Sequence, residues 1–216
     1  MSQNSISQKQ LLFAQIFGFT FLFLLSILHF LKPEISVNYR LISEYEIGNL
    51  GFLMRFAFLS WGAGFLCLSL SVWNVLTDLT GKIAKYWLLI ISIAIICAGI
   101  FVTQPITDIV RTQTDRIHAI CGAIMIFTFP IVAILFTRGL SKIESFKAEK
   151  SKLFWLTFFV WVGFLAFFAS MIVYAPQIKA RAYSDAILIG YPNRLMVFIY
   201  TIWLIGVSRL LRHIIN

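Results

Sequence analysis

The sequence predicts an all-α protein: a polytopic transmembrane six-helix bundle formed as a single domain over residues 1–216. Three observations predict it. Of the 216 residues, 60% are hydrophobic and only 12% are charged, whereas a soluble domain carries about 25% charged residues. Six apolar runs follow one another, each near the ~20 residues that cross a hydrocarbon core as a helix. The basic residues fall mainly in the short connections between those runs. With mean hydropathy +0.88 and so little charge to cover a surface in water, the chain must face lipid.

The spans follow in order. A short polar stretch, 1–10, carries one charge, Lys9, and leads into the first span, 11–31, which ends before Pro33. No small-residue cleavage site follows it, so it reads as a retained helix rather than a secretory signal. A polar connection, 34–49, holds Ile42-Ser43-Glu44-Tyr45-Glu46-Ile47-Gly48 at its centre. The second span, 50–76, has Arg55 near its start and Trp73 near its end. Its Trp61-Gly62-Ala63-Gly64 offers small residues for close helix packing. A tight polar turn, 78–85, precedes the third span, 86–103, which is charge-free. The loop 104–114 contains Pro105, Asp108 and Arg111. The fourth span, 115–137, contains Pro130, which is expected to kink it. The most basic loop, 138–152, precedes the fifth span, 153–175, rich in Phe and Trp. A loop over 176–193 leads to the sixth span, 194–211, whose terminal Arg194 and Arg209 snorkel outward to complete it.

Six spans put both termini on one side of the membrane. Once Arg55, Arg116 and Arg194 are set aside as lying inside helix ends, Lys and Arg favour the side of the termini. The positive-inside rule then places the protein in the cell membrane with both termini cytoplasmic. Most acids, Glu34, Glu44, Glu46, Asp108, Asp115 and Asp185, fall on the outer side. The inner charges are explained by topology; the mixed charges outside need a second explanation.

The net charge of +9 does not indicate nucleic acid, because the basic residues sit where they set topology and meet anionic headgroups. Cys67, Cys97 and Cys121 lie inside apolar runs without the paired spacing of a metal or redox motif, so they read as small hydrophobes. No Walker motif or dinucleotide fingerprint is present. The spans also lack the mid-bilayer acid or base of an ion-coupled transporter.

Asp115-Arg116-Ile117-His118 is the densest functional stretch. A charge cluster at the mouth of a membrane helix is costly unless it is paired or hydrated. The second helix of each hairpin opens with an arginine: Arg55, Arg116 and Arg194. These either snorkel to headgroups or converge and pair with Glu44, Glu46 and Asp115, making an outer-leaflet site for a phosphate, carboxylate or lipid headgroup. His118 follows Asp115 at i+3 on one helix face, a spacing that suits an oriented general base and equally an ordinary N-terminal contact. His29 and His118, at similar depth on different helices, form one pair able to ligate a b-type haem.

Several motifs together resemble one family. Leu31-Lys32-Pro33-Glu34 followed by the 42–48 segment resembles the first outer loop of the DUF998 family, six-span membrane proteins of unknown function. Gly99 to Pro105, then Ile117-His118, is similar to that family's third-helix end and the histidine opening its fourth helix. Gly190-Tyr191-Pro192-Asn193-Arg194-Leu195 resembles its last motif. The resemblance spans nearly the whole chain. It implies six helices and an outer polar cluster and supplies no activity. It also implies an acid before Pro105 and before the final arginine, where this chain has Gln104 and Asn193, so an altered site is one expectation.

The preferred reading is a polar pocket in the outer leaflet, with Glu44, Tyr45, Glu46, Arg55, Arg116 and Arg194 as ligand-binding residues and membrane lipids as partners. The alternatives are an intramembrane hydrolase or transferase using Asp115 and His118, a non-catalytic membrane scaffold, and a haem electron carrier using His29 and His118. No protein partner or oligomeric state is written in the sequence.

Overall fold

The computed structural model describes residues 7–215; part of the N-terminal polar stretch read from the sequence lies outside them. Seven α-helices form: α1 Gln8–Leu31, α2 Gly51–Ser71, α3 Leu79–Ile100, α4 Gln113–Ser141, α5 Lys150–Val173, a short α6 Ala175–Ala180 and α7 Gly190–Ile215. All but α6 are long and apolar enough to cross a membrane. The protein is a multi-pass membrane protein.

The expected boundaries shift where caps or turns act. α3 begins at Leu79 rather than in the middle eighties, because Asp78 accepts the Gly81 N–H (3.0 Å) and caps it. What reads as a polar turn is thus the cap and about the first two turns of the helix. α2 stops at Ser71, five residues short of the expected end. α4 starts at Gln113, capped by Thr112, which accepts the Asp115 N–H (3.3 Å), and Pro130 sits inside its continuous run to Ser141. α7 begins at Gly190, so Arg194 lies in its second turn. The basic loop shrinks to a 3-10 turn, Glu144–Glu149, and another, Ile42–Glu46, is buried in the first connection.

The six long helices close a ring, α1–α2–α3–α4–α5–α7, with α7 returning to α1. Gly62 and Gly64 serve as expected. A Cβ on Gly62 would come 2.9 Å from the Ser92 carbonyl oxygen of α3, and one on Gly64 would come 3.3 Å from that of Ala14 in α1. Aromatic rings fill the middle. Phe21 stacks on Trp61 with centroids 4.5 Å apart. Phe129 sits among Phe65, Tyr200 and Trp203. Phe19, Phe23, Phe56, Phe154 and Leu165 face outward, where only lipid tails make such a surface inexpensive. The two described ends meet: the Gln8 side chain donates to the Arg212 carbonyl (3.3 Å). The opposite end, called here the distal end, carries the loops with the mixed charges.

Candidate functional site

Three carboxylates at the distal end suspend one loop by its backbone. The Thr103 N–H donates to Glu46 (3.2 Å), the Gln104 N–H to Asp115 (2.9 Å) and the Ile106 N–H to Glu44 (3.0 Å). Pro105, between them, has no N–H to satisfy. Arg111 grips the same turn from the other side, donating to the carbonyls of Pro105 (3.2 Å) and Ile106 (3.1 Å). All three acids are buried, and buried acids require such partners.

The acids take different arginines from those expected. Glu44 pairs with Arg40, and Asp115 with Arg111 (3.4 Å). Among the described residues, none of Arg55, Arg116 and Arg194 forms an ion pair with these acids. Arg55 is exposed and donates to the Gly99 carbonyl (3.4 Å). Arg116 is exposed and, among the described residues, makes neither an ion pair nor a side-chain hydrogen bond. The signal that finds the true pairs is the i, i+4 spacing of Arg40–Glu44 and Arg111–Asp115.

Arg194 is a structural clamp. It donates to His29 Nε2 (2.8 Å), to the Tyr45 hydroxyl (3.3 Å) and to the carbonyls of Val37 (3.3 Å), Arg40 (2.8 Å) and Gly190 (3.0 Å). Its guanidinium also lies over the Tyr45 ring. His29 Nδ1 donates to the Leu25 carbonyl (2.7 Å). Both ring nitrogens of His29 are therefore engaged, and a haem held between His29 and His118 does not fit this arrangement. Lys32, to which the sequence reading gave no role, is buried and donates to the carbonyls of Tyr45 (3.3 Å) and Ile47, fixing the 3-10 turn.

Asp115 and His118 share a face of α4 but turn to different partners. Asp115 accepts from Thr103, Gln104 and Arg111. His118 Nδ1 lies 3.0 Å from the Ala98 carbonyl oxygen and 2.9 Å from that of Phe101. Carbonyls only accept, so Nδ1 carries the hydrogen, and in the neutral ring Nε2 then keeps a lone pair. The carboxylate beside His118 is that of Glu46, at 3.5 Å. Burial pushes the Glu46 carboxyl up to about 8, against the opposing pull of the Thr103 N–H and the Arg55 charge. Burial likewise raises Glu44, opposed by Arg40 and two backbone N–H groups.

Gln104 and Asn193 keep backbone acceptor roles. Gln104 Oε1 accepts the Thr112 N–H (2.7 Å), and Asn193 Oδ1 accepts the Ile42 N–H (3.0 Å).

Below this network a groove of about 520 Å³ runs between the distal halves of α4 and α5. Its top is polar, with Glu44, Gln104, Arg111, Asp115 and Arg116; its lower walls are apolar, with Ala123, Phe127, Phe167 and Met171. Gly122 lines it, and a Cβ there would meet nothing within 4 Å.

No curated protein and no solved structure matches the chain. A family profile does, over residues 16–210, and it is described as a protein of unknown function, DUF998. With most of the chain matched and six helices of crossing length in place, the chain belongs to the DUF998 family.

Proposed function

We propose that the groove between α4 and α5 binds a membrane lipid by its anionic headgroup. The observation that carries this is Arg116: a cation at the top of an apolar groove on the lipid flank, with no acid within 4.0 Å among the described residues. Such a charge is costly unless it finds a partner, and a phosphate is the partner its fork geometry suits. Acyl chains then lie along Phe127 and Phe168, where they replace other lipid at little cost. The basic residues near the termini support a cell-membrane topology with both termini cytoplasmic and this groove in the outer leaflet. The test is native mass spectrometry of the protein purified in mild detergent. A retained anionic lipid, lost in Arg116→Ala, is expected. A lipid-free protein, or the same lipid held by Arg116→Ala, overturns the reading.

A second reading, a hydrolase or transferase, is favoured by the lone pair left on His118 Nε2, which is available as a base toward the groove. It requires that His118→Ala abolish lipid turnover by the folded protein in reconstituted vesicles.

A further inference from the structure

Behind His118 a smaller cavity, about 80 Å³, adjoins the groove. Leu41, Ser43, His118, Gly122 and Ile126 line both spaces. The cavity lies beneath the 3-10 turn, among α2, α3, α4 and α7. Most of its wall is apolar, and no Asp, Glu, Lys or Arg lines it.

Four polar side chains on its wall have capacity left among the described residues. His118 has its Nε2 lone pair, since Nδ1 serves the two carbonyls. Asn193 engages Oδ1 with Ile42 and leaves its amide NH₂ group. Trp61 has a buried indole N–H without a partner. Ser43 contributes a hydroxyl to both spaces. Beside these four, Tyr200 keeps only acceptor capacity, because its hydroxyl donates to the Ile126 carbonyl (3.2 Å). Acceptors on His118 and Tyr200 and donors on Ser43, Trp61 and Asn193 thus surround a small uncharged space.

Resting on the lipid-binding reading above, we infer that this cavity receives the end of the lipid headgroup, and that the ligand is an anionic phospholipid whose headgroup ends in hydroxyls. Three arguments select that class. A hydroxyl donates to His118 Nε2 and accepts from Ser43, Trp61 or Asn193, matching both kinds of capacity. An ammonium headgroup finds no carboxylate on the wall, and a buried unpaired charge is strongly disfavoured. The space holds several water-sized groups and so admits a glycerol-sized one. The phosphate stays outside, on Arg116.

The test presents the full-length protein in mild detergent with an equimolar mixture of phosphatidylglycerol, phosphatidic acid, phosphatidylethanolamine and phosphatidylcholine. Bound lipid is read by native mass spectrometry. Phosphatidylglycerol is expected to be enriched about tenfold over each of the others, as losing buried hydrogen bonds implies. Ser43→Ala with Trp61→Phe removes two donors and no structural bond given above. It is expected to cut the enrichment to about threefold or less while anionic lipid stays bound. Equal binding of phosphatidylglycerol and phosphatidic acid overturns this inference and leaves the groove reading standing. An unchanged preference in the double variant also overturns it. Absence of lipid, binding independent of Arg116, or preference for a zwitterionic lipid overturns the groove reading as well. Should the double variant fail to fold, the wild-type preference alone decides.

Discussion

His118 directs its Nδ1 hydrogen to two backbone carbonyls with the Glu46 carboxylate 3.5 Å away, while Asp115, three residues before it, turns to the loop and Arg111. Glu46 holds the Thr103 N–H of the suspended loop (3.2 Å). Its carboxyl is held up at about 8 by burial, from an ordinary 4.5. The folded protein then keeps a proton that the unfolded chain releases, so stability is full below about 4.5 and falls as pH rises toward 8. At most about 1.4 kcal/mol per pH unit is lost in that window. Thermal unfolding in detergent from pH 5 to 9 should show this slope, flattened in Glu46→Gln. Glu44, raised in the same direction, leaves a smaller residual slope.

Arg194→Lys should lower stability by about 2 kcal/mol or more, since an ammonium cannot reproduce a fork that meets His29, Tyr45 and three carbonyls. The melting temperature checks this. Lipid retention per folded molecule should not change, because Arg194 does not line the groove.

Gly122→Phe should leave folding intact and empty the groove of lipid. A Cβ at this position meets only open space, and the ring extends into the volume the acyl chain would occupy. Unchanged lipid in native mass spectra, with an unchanged melting temperature, would count against the groove.

Gly190→Ala should cost on the order of 3 kcal/mol and reduce yield sharply. Its Cβ would lie 2.3 Å from the Val37 carbonyl oxygen and 2.8 Å from those of Asn38 and Arg40. Those atoms are backbone and already bonded to Arg194 and to the Gly190 N–H. Expression and size-exclusion profiles check it.

Asn193→Asp should preserve the bond from the Ile42 N–H and introduce the acid that the family pattern implies. A carboxylate on a wall otherwise free of charged residues reverses the selection argued above: ammonium headgroups gain a counter-charge. The lipid mixture experiment should show the preference moving from phosphatidylglycerol toward phosphatidylethanolamine.

The six spans were legible because hydropathy alone selects them, and Arg55, Arg116 and Arg194 because each breaks an apolar pattern. Asp115 and His118 were correctly placed on one face of α4 by periodicity. Their partners were not legible. The Thr103, Gln104 and Ile106 amides that hold the acids have no sequence signature, since every residue but proline carries the same N–H. Arg40 and Arg111 lie in polar connections where an arginine breaks no apolar pattern, and only their i, i+4 spacing to Glu44 and Asp115 marks the pairs. The start of α3 was misplaced because Gly81, Lys82 and Lys85 look like turn chemistry, while the cap at Asp78 outweighs them.

The Arg194 clamp has a consequence for biogenesis. Glu44, Glu46 and Asp115 all precede α5, so the network around residues 103–106 can close once four helices have been inserted. The segment 37–45 receives its last supports from Arg194 and Asn193, on the final helix. The connection between α1 and α2 is thus fully locked only after α7 is made, and a chain truncated before α7 leaves that connection short of these supports and more open to quality-control proteolysis.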